Sequence, residues 1–490
     1  METCGNPRSI FQFLVVVGIT LSFLCNLPTT HAEPSTSRND TKKENGPPQK
    51  LLIIMLDGFR WDYYDRQKEE LPGFSEFLSK GVQAQWLEPS FPSNSYACWT
   101  TISTGVYPEV HGILDNFMFD QQFQAVFDFK NETSVSIEHW WQNVEPIWIT
   151  ATRHGRKALL HRWSSCDVPF DGLEPETCMS YYQHLNQSIE EGYSDTEEAD
   201  LDAFRIAFQG LQLDYDIIMV YVESIDKFGH AYGPDSPELM EAVRHVDNAL
   251  SLLLQEIKNA GLENNVNTVI IGDHGSTFVG QGSGTKIVQL SDYINASQVY
   301  KIVGKGAVVG IVPYAQTKKK VYQSLKGGVG FDTYLREEIP ENFHYKKSKL
   351  VPEILLVAQP NYLILRLGDG EKQIPDDEPP AMKQRFKHFI PDGIHGYSNM
   401  TDMRTIFFAK GPAFKEGVAH PPIEMVDLYQ IFTHLLDIPS NPNNGSWPRV
   451  SNMFSSALPT KTVSNLWIIT TITFSTLFII SLNFNSIFIQ

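Results

Sequence analysis

The stretch Leu51-Leu-Ile-Ile-Met-Leu-Asp-Gly-Phe-Arg60 decides the fold. An unbroken apolar run that ends in an aspartate and a glycine is typical of a strand buried on both faces of a parallel sheet. Residues 33–49 precede it and are rich in Ser, Lys, Asn and Pro, which predicts a flexible lead-in. The sequence therefore predicts that the folded domain begins at about residue 50 with a central strand.

Two further apolar runs have the same character, and helical patterns separate them. They are Ile217-Ile-Met-Val-Tyr-Val222 and Thr268-Val-Ile-Ile271. From Ser236 to Ala260, apolar residues recur at helical spacing. This alternation predicts an α/β fold in which helices flank a central, mainly parallel sheet. Residues 276–391 are less regular and are predicted to form an inserted lobe.

Length, composition and charge limit the class of protein. The chain has 490 residues, 42% of them apolar, and a formal net charge of −18. This is enough apolar material for one large globular domain. The acidic balance shows no basic stripe, so a nucleic-acid polymer is not expected as a partner. An anionic small-molecule substrate would need local positive charge, which metal ions could supply. No protein partner can be inferred.

The N-terminus predicts export from the cell. Residues 1–32 have the pattern of a signal peptide, with Arg8 before an apolar run from Ile10 to about Leu27 and a small residue, Ala32, at the expected cleavage point. An N-terminal membrane anchor is the alternative, but the run is short for a span. Asn-X-Ser/Thr triplets, typical of a glycosylated extracellular protein, occur at Asn39, Asn131, Asn186, Asn295, Asn399 and Asn444.

The C-terminus predicts attachment to a membrane. Residues 447–465 are expected to form a stalk, and residues 466–490 a hydrophobic anchor or a glycosylphosphatidylinositol signal. No Lys or Arg follows the apolar run, whereas a single-pass span normally has basic residues on its cytoplasmic side. The lipid anchor is therefore favoured, with Ser455-Ser456-Ala457 as the attachment site, and a type I span is the alternative.

Three cysteines remain after signal cleavage: Cys98, Cys166 and Cys178. An odd number in a secreted chain leaves one thiol free or intermolecular. The short separation favours a disulfide between Cys166 and Cys178, with Cys98 in a predicted buried helix. The count itself does not exclude the other pairings.

Metal-ligand residues follow the predicted strands. Parallel strands would bring their carboxyl ends to one edge of the sheet, where α/β proteins bind ligands. Taken singly, an aspartate after a strand is more often a turn or helix-cap residue than a ligand. Together, the carboxylates and imidazoles match a site for two zinc ions about 4 Å apart. These candidate ligands are Asp57, Asp226, His230, Asp273, His274 and His395.

The motifs around these residues resemble the ecto-nucleotide pyrophosphatase/phosphodiesterase family of the alkaline phosphatase superfamily. The resemblance covers about residues 50–446, as one catalytic domain of the short type. It implies an alkaline-phosphatase-like fold and two zinc ions per chain. The matching segments, in chain order, are Asp57-Gly-Phe-Arg60, Thr104-Gly-Val-Tyr-Pro-Glu-Val-His-Gly112 with Asp115-Asn116, Glu145-Pro-Ile-Trp148, Asp226 to Gly233, Asp273-His-Gly275, His395-Gly396, Gly411-Pro-Ala-Phe414 and Asn443-Asn-Gly445.

The resemblance also implies a role for each ligand. One zinc would be held by Asp226, His230 and His395. The other would be held by Asp57, Asp273, His274 and the oxygen of the nucleophile. Counting back from Thr104 places Ser95 at the nucleophile position, and Asn116 would contact a phosphate oxygen. Ser95 could equally serve as a helix N-cap, and the two roles are compatible.

The sequence departs from the family pattern around the nucleophile. Ser95 replaces the usual Thr, which keeps the hydroxyl, and Asn94 replaces the usual Lys, which removes a positive charge. Family members that cleave nucleotides stack the base on aromatic residues. Tyr96 and Tyr193 are the candidates for that substrate contact here, although the alignment at Tyr193 is loose.

The predicted function is therefore an extracellular, metal-dependent hydrolase of phosphodiester or pyrophosphate bonds at the cell surface. The favoured activity is release of nucleoside monophosphates from ATP, ADP, NAD or dinucleotides through a phospho-Ser95 intermediate. A choline-type phosphodiesterase acting on lipid headgroups is one alternative. A surface binding protein that has lost catalysis is another, and the complete set of metal ligands argues against it.

Overall fold

The computed structural model describes residues 49–191, 196–367, 391–398 and 400–455. Its strands in chain order are β1 (Lys50–Leu56), β2 (Gly81–Ala84), β3 (Leu87–Glu88), β4 (Phe117–Asp120), β5 (Ala125–Asp128), β6 (Ala158–His161), β7 (Thr177–Met179), β8 (Ile217–Val222), β9 (Val266–Ile271), β10 (Thr277–Phe278), β11 (Lys286–Gln289), β12 (Val299–Lys305), β13 (Val308–Pro313), β14 (Phe331–Leu335), β15 (Ile354–Ala358), β16 (Tyr362–Leu365), β17 (Gly393–Ile394), β18 (Phe407–Lys410), β19 (Val418–His420) and β20 (Ile423–Glu424).

Helices connect most of the strands that build the main sheet. They are α1 (Tyr63–Gln67), α2 (Pro72–Ser79), α3 (Ser95–Thr104), α4 (Pro108–His111), α5 (Glu132–Val135), α6 (Ile147–Arg153), α7 (Tyr181–Glu191), α8 (Thr196–Gln212), α9 (Ser224–Tyr232), α10 (Pro237–Asn259), α11 (Lys318–Leu325), α12 (Leu428–Leu435) and α13 (Trp447–Val450).

The main sheet of the described residues has eight strands in the order β19-β2-β18-β9-β1-β8-β6-β7. Strand β1 pairs in parallel with β8 and with β9, and only β18 runs antiparallel to its neighbours. The predicted α/β fold with a mainly parallel central sheet is confirmed. The three apolar runs of the sequence are therefore adjacent strands, and their carboxyl ends lie side by side.

The side chains of β1 explain why its apolar run has no polar interruption. Leu51, Ile53 and Met55 enter the core on one face of the sheet. Leu52 and Ile54 enter the core on the other face, against the helices α2, α8 and α10. Each face buries alternate residues, since successive side chains of a strand point in opposite directions. Because β1 is covered on both faces by helices and loops, it is a rigid support for the residues that follow its carboxyl end.

A second sheet lies between β10 and β17 in the sequence. Strands β12, β13, β15 and β14 form it in that order, all with antiparallel pairing. Its hairpin approaches the main domain, because a Cβ atom at Gly304 would lie 3.1 Å from Asp115 Oδ2. This sheet therefore borders the segment that carries Asn116.

Several predictions concern the ends of the chain. The signal peptide and the hydrophobic C-terminal segment fall in residues 1–48 and 456–490, outside the described residues. Among the residues that are described, no helix has the length and apolar content needed to cross a membrane. The predicted start of the stalk at residue 447 is too early. Val450, Met453 and Phe454 are buried, and Phe454 stacks on Phe414.

His111, in the Thr104–Gly112 motif, is a buried structural residue. Its Nδ1 accepts a hydrogen bond from the Ile113 amide at 3.1 Å, so its Nε2–H can donate to Thr101 Oγ1, also at 3.1 Å. Burial lowers the pKa of His111 to about 3. In the unfolded chain His111 binds a proton near pH 6.5, whereas in the folded protein it stays neutral down to about pH 3. The stabilising contribution of the neutral, buried imidazole is therefore complete above pH 6.5 and is lost as the pH falls towards 3.

We expect His111→Gln to reveal this linkage. The variant is less stable than wild type at pH 7.5. The gap between their free energies of unfolding narrows by roughly 2 kcal/mol at pH 5, because glutamine does not titrate. Urea unfolding at the two pH values measures the gap. Thr101→Val removes the same hydrogen bond without removing a titrating group, so its gap should stay constant. A constant gap for His111→Gln would contradict the buried neutral imidazole.

Candidate active site

The ligand residues predicted from the strand ends lie together. Asp57 follows β1, and Asp273 and His274 follow β9. His274 Nε2 is 3.4 Å from Asp57 Oδ1 and 3.4 Å from Asp273 Oδ2. Asp226 lies in the first turn of α9, directly after β8, and a Cβ atom at Gly58 would approach its Cβ to 2.8 Å. Gly58, at φ +70°, is therefore what lets the β1 turn pass α9 closely.

Two further imidazoles complete the cluster. His230, one turn after Asp226, places its Nε2 3.3 Å from Asp226 Oδ2. His395 follows β17, far along the chain, and its Nε2 lies 4.0 Å from Asp226 Oδ1. The His395 and His274 rings stack at 3.6 Å with 14° between their planes. His274 thus stands between two groups of ligand atoms.

The main chain holds the imidazoles in one tautomer. The Nδ1 atoms of His230, His274 and His395 lie 2.7, 3.1 and 2.9 Å from backbone carbonyl oxygens. A carbonyl can only accept, so each Nδ1 carries a proton, and Nε2 is the ring atom left to bind a metal ion. Burial, together with the neighbouring His274 and His230, lowers the pKa of His395 well below its ordinary value. Neutral imidazoles with their Nε2 atoms directed at carboxylates are the form that binds metal ions.

The buried carboxylates lie so close together that binding of a cation between them would be favoured. Burial and the neighbouring Asp273 and Asp226 raise the pKa of Asp57 well above its ordinary value. Asp57 Oδ2 accepts a hydrogen bond from Tyr221 Oη at 2.6 Å, but the buried Oδ1 has no hydrogen-bond partner among the described residues. A divalent ion would neutralise this repulsion and coordinate the unpartnered oxygen. The donor set therefore fits metal ions.

The ligand atoms form two compact groups. Asp57, Asp273 and His274 make one, and Asp226, His274 and His395 make the other, with the atoms of each group within 4.8 Å of one another. His230 is adjacent to the second group through Asp226. The resemblance assigned His274 to one metal only, whereas here His274 belongs to both groups.

Ser95 and Asn116 lie at the N-terminus of α3. Ser95 is the first residue of this helix, and Asn94, which makes no side-chain cap hydrogen bond, occupies the N-cap. The alternative role of Ser95 as the N-cap is therefore wrong. Ser95 Oγ is 3.2 Å from His274 Nε2, and Asn116 Oδ1 accepts from the Tyr96 amide at 2.9 Å. That bond turns the Nδ2 group of Asn116 away from the helix, and the helix N-terminus favours an anion.

Asn94, at the position of the family's lysine, contacts a buried carboxyl. Its Nδ2 donates to Asp115 Oδ1 at 3.1 Å, and the same oxygen accepts from the Asn116 amide at 2.6 Å. Burial raises the pKa of Asp115 to about 7. Asn94 and Asp115 thus fix the backbone of Asn116.

Tyr96 does not offer a ring face to a ligand. Its side chain is 3% exposed, and its hydroxyl accepts from Ser164 Oγ at 2.8 Å. The ring packs between Trp99 and Phe127 at centroid distances of 4.9 and 5.2 Å. The predicted stacking of Tyr96 on a base is therefore wrong for this structure, because the helix points this residue into the core. Tyr193, the other candidate, lies outside the described residues.

Two supporting residues were missed from the sequence. Trp99 Nε1 donates to Asp273 Oδ2 at 2.7 Å, and Tyr221 Oη donates to Asp57 Oδ2. Trp99 is four residues after Ser95, so both lie on the same face of α3, and this spacing was an available signal. Tyr221 is the one polar-tipped residue of the β8 run and lies just before its end.

The remaining predicted positions concern the surface and the cysteines. Cys166 and Cys178 form a disulfide with a Cα–Cα distance of 5.8 Å, and Cys98 is a buried free thiol. Asn39 and Asn399 lie outside the described residues. The exposed glycosylation candidates are Asn131, Asn186, Asn295 and Asn444.

Sequence comparison places this site in a known family. The profile of the type I phosphodiesterase/nucleotide pyrophosphatase family matches residues 51–398, which include every candidate metal ligand. The chain belongs to this family. The resemblance to ecto-nucleotide pyrophosphatase/phosphodiesterases is confirmed, and the chain is a metal-dependent hydrolase of the phosphodiesterase/pyrophosphatase type.

Individual phosphodiesterase relatives match along most of their length. Ectonucleotide pyrophosphatase/phosphodiesterase family member 5 of Homo sapiens is 30% identical over 413 residues, covering 84% of this chain and 79% of the relative. Bis(5'-adenosyl)-triphosphatase ENPP4 of Homo sapiens is 30% identical over 404 residues, covering 82% and 81%. The prefix in the name of the first marks it as an ectoenzyme, in line with an extracellular or cell-surface location.

A solved phosphodiesterase structure agrees with the fold. Murine ectonucleotide pyrophosphatase/phosphodiesterase 5, as an inactive variant in complex with AMP, superposes with a TM-score of 0.71 at 30% identity. The match covers 83% of this chain and all of that one. The alkaline-phosphatase-like expectation for the fold is thereby confirmed.

Proposed function

We propose that this phosphodiesterase is an extracellular two-zinc nucleotide pyrophosphatase that releases nucleoside monophosphates from ATP, ADP, NAD or dinucleotides. The observation that carries the proposal is the position of Ser95. Its hydroxyl lies 3.2 Å from Nε2 of His274, a residue that belongs to both ligand groups. A hydroxyl at a helix N-terminus beside two cation sites is placed to attack a phosphoryl group.

The ligands divide between the two proposed zinc sites. Asp226, His230 and His395 would hold one ion. Asp57, Asp273, His274 and the Ser95 oxygen would hold the other. When bound, zinc lowers the pKa of a neighbouring hydroxyl and neutralises charge on phosphoryl oxygens. Tyr221 and Trp99 orient Asp57 and Asp273 for this task through the hydrogen bonds at 2.6 and 2.7 Å.

The chain's own groups then account for phosphoryl transfer. Ser95 Oγ gives up its proton to water and forms a bond to the α-phosphorus as the bond to the leaving oxygen breaks, which leaves the nucleoside monophosphate esterified to Ser95. The Asn116 amide donates to a non-bridging oxygen, and the first amides of α3 add the positive end of the helix dipole. Water then attacks the same phosphorus and breaks its bond to Ser95 Oγ, so that the nucleoside monophosphate leaves and the Ser95 hydroxyl regains its proton.

One observation favours the alternative of a choline-type phosphodiesterase. Tyr96, expected to stack on a base, is buried in the core. A site in which the Tyr96 ring cannot stack on a base would lose part of its preference for nucleotides, whereas the chemistry at Ser95 would be the same.

Two observations support the proposed extracellular location. A disulfide joins Cys166 and Cys178, and disulfides persist in oxidising compartments. The described glycosylation candidates are exposed, as an oligosaccharide requires. A membrane anchor within residues 466–490 remains a proposal from sequence.

The test is hydrolysis of p-nitrophenyl-TMP against p-nitrophenyl-phosphocholine, with and without a zinc chelator. We expect faster cleavage of the nucleotide ester, with loss of activity on chelation and recovery on adding Zn²⁺. Preference for the choline ester would overturn the proposed substrate but not the chemistry. Cleavage that resists complete removal of metal would overturn the two-zinc proposal.

A further inference from the structure

A second cluster of metal-binding side chains lies one strand away from the active site. It is formed by His161 at the end of β6, His184 in α7 and Asp202 in α8. His161 Nε2 is 3.4 Å from Asp202 Oδ2, and His184 Nε2 is 3.8 Å from the same oxygen. The ligand atoms of all three lie within 4.8 Å of one another. Secondary-structure elements far apart in the sequence thus converge on one point.

The inner imidazole lacks a hydrogen bond. His161 is 5% exposed, and its buried Nε2 has no hydrogen-bond partner among the described residues, although Asp202 Oδ2 is near. The two atoms are therefore close together without forming a hydrogen bond of normal geometry. A buried polar atom without a partner costs about 1 to 3 kcal/mol, so such an atom calls for an explanation.

The cluster has the donor types and the access that a metal ion needs. It offers two imidazoles and one carboxylate. The side chains of His184 and Asp202 are 13% and 24% exposed, which leaves a path from solvent.

We propose that His161, His184 and Asp202 bind a further divalent transition-metal ion, separate from the active site. Two imidazoles and one carboxylate form a ligand set that Zn²⁺ accepts, with water completing the coordination. The ion would fill the space that His161 Nε2 faces. It would also fasten α7 and α8 to the end of β6, as structural metal sites do.

The proposed metal-binding cluster lies close to residues that support the active site. Arg162, the residue after His161, forms ion pairs with Asp200 at 3.1 Å and with Glu223 at 3.0 Å. Its guanidinium lies 5.6 Å from the ring of Tyr221, which holds Asp57. The ion would therefore stabilise the layer of residues behind one catalytic ligand without touching substrate.

The experiment counts metal ions in the intact chain. Wild type and His184→Ala are saturated with Zn²⁺, freed of excess metal and analysed by inductively coupled plasma mass spectrometry. We expect His184→Ala to hold one equivalent fewer than wild type. Asp202→Asn, which keeps the side-chain volume, should show the same loss, and circular dichroism checks that both variants fold. His245→Ala is the matched control. His245 contacts Glu197 and Glu241 at 2.7 and 3.4 Å but has no second imidazole.

The comparison is repeated in an Asp57→Asn background, so that the result does not depend on the proposed zinc pair of the active site. The one-equivalent difference, and a Zn²⁺-induced rise in Tm that disappears with His184→Ala, should persist there. Equal metal content in wild type, His184→Ala and Asp202→Asn would overturn the proposal. The cluster would then be an ion-pair network only.

Discussion

Replacing Ser95 with alanine is expected to lower kcat for p-nitrophenyl-TMP by about 10³-fold or more while the metal content stays the same. The hydroxyl is the proposed nucleophile, and no other group on α3 occupies its place 3.2 Å from His274 Nε2. The loss should appear in kcat and not in KM, since the phosphate still meets the helix N-terminus and Asn116. Steady-state kinetics with parallel zinc analysis makes the measurement.

Ser103→Ala is the matched control. Ser103 is also a buried serine of α3, but its hydroxyl donates only to the Thr100 carbonyl at 3.1 Å. This variant should keep near wild-type turnover. If Ser95→Ala kept substantial activity with its zinc bound, a direct attack by water would replace the covalent route through Ser95. Trapping a nucleotide labelled at its α-phosphate on wild type, but not on Ser95→Ala, would support the covalent route.

Asp57→Asn is expected to have opposite effects on the metal-free and the metal-loaded protein. Without metal, the variant removes a buried negative charge that faces Asp273 and Asp226, so its Tm should exceed that of wild type in chelator. With Zn²⁺, wild type should rise well above the variant, because the variant lacks a charged ligand. Activity should fall by about 10³-fold. Differential scanning calorimetry at pH 8, with chelator and with Zn²⁺, gives the four values.

Asp247→Asn provides the control for a buried carboxylate with another task. Asp247 accepts from the Gly73 and Phe74 amides at 2.9 and 2.7 Å, at the start of α2. Its replacement should lower the Tm equally in both conditions and leave the zinc-induced rise unchanged. A metal-free Asp57→Asn protein that is less stable than metal-free wild type would contradict the crowded-carboxylate description.

The sequence could predict that β1, β8 and β9 are neighbours. Each is an unbroken apolar run that leads to an aspartate, and both features are visible in the local sequence. The observed bounds Lys50–Leu56, Ile217–Val222 and Val266–Ile271 differ from the apolar runs by at most two residues. The antiparallel insertion of β18 beside β9 was not predictable, since strand order depends on long-range packing. His395 was a candidate ligand by residue type, but no predicted strand placed it beside the others, because it arrives from a distant segment.

The misassigned role of Tyr96 has a physical reason. All residues of α3 are buried, so its sequence has no polar face to show which side meets the substrate. The family motif predicted the position of the proposed nucleophile, Ser95, but not the rotation of the next side chain. Packing against Trp99 and Phe127, which only the folded chain brings together, decided that Tyr96 faces inward.

The candidate histidine ligands of the active site take their orientation from peptide carbonyls. The acceptors for His230, His274 and His395 belong to Gly393, Gly275 and Ser93. The backbone path that aims the rings depends on small residues, because a Cβ atom at Gly275 or Gly393 would lie 2.1 or 2.4 Å from a backbone oxygen, and Ser93 Oγ accepts from the Gly396 amide at 3.0 Å. Protein engineers who wish to redirect substrate choice should therefore leave these three positions unchanged and vary residues outside these turns.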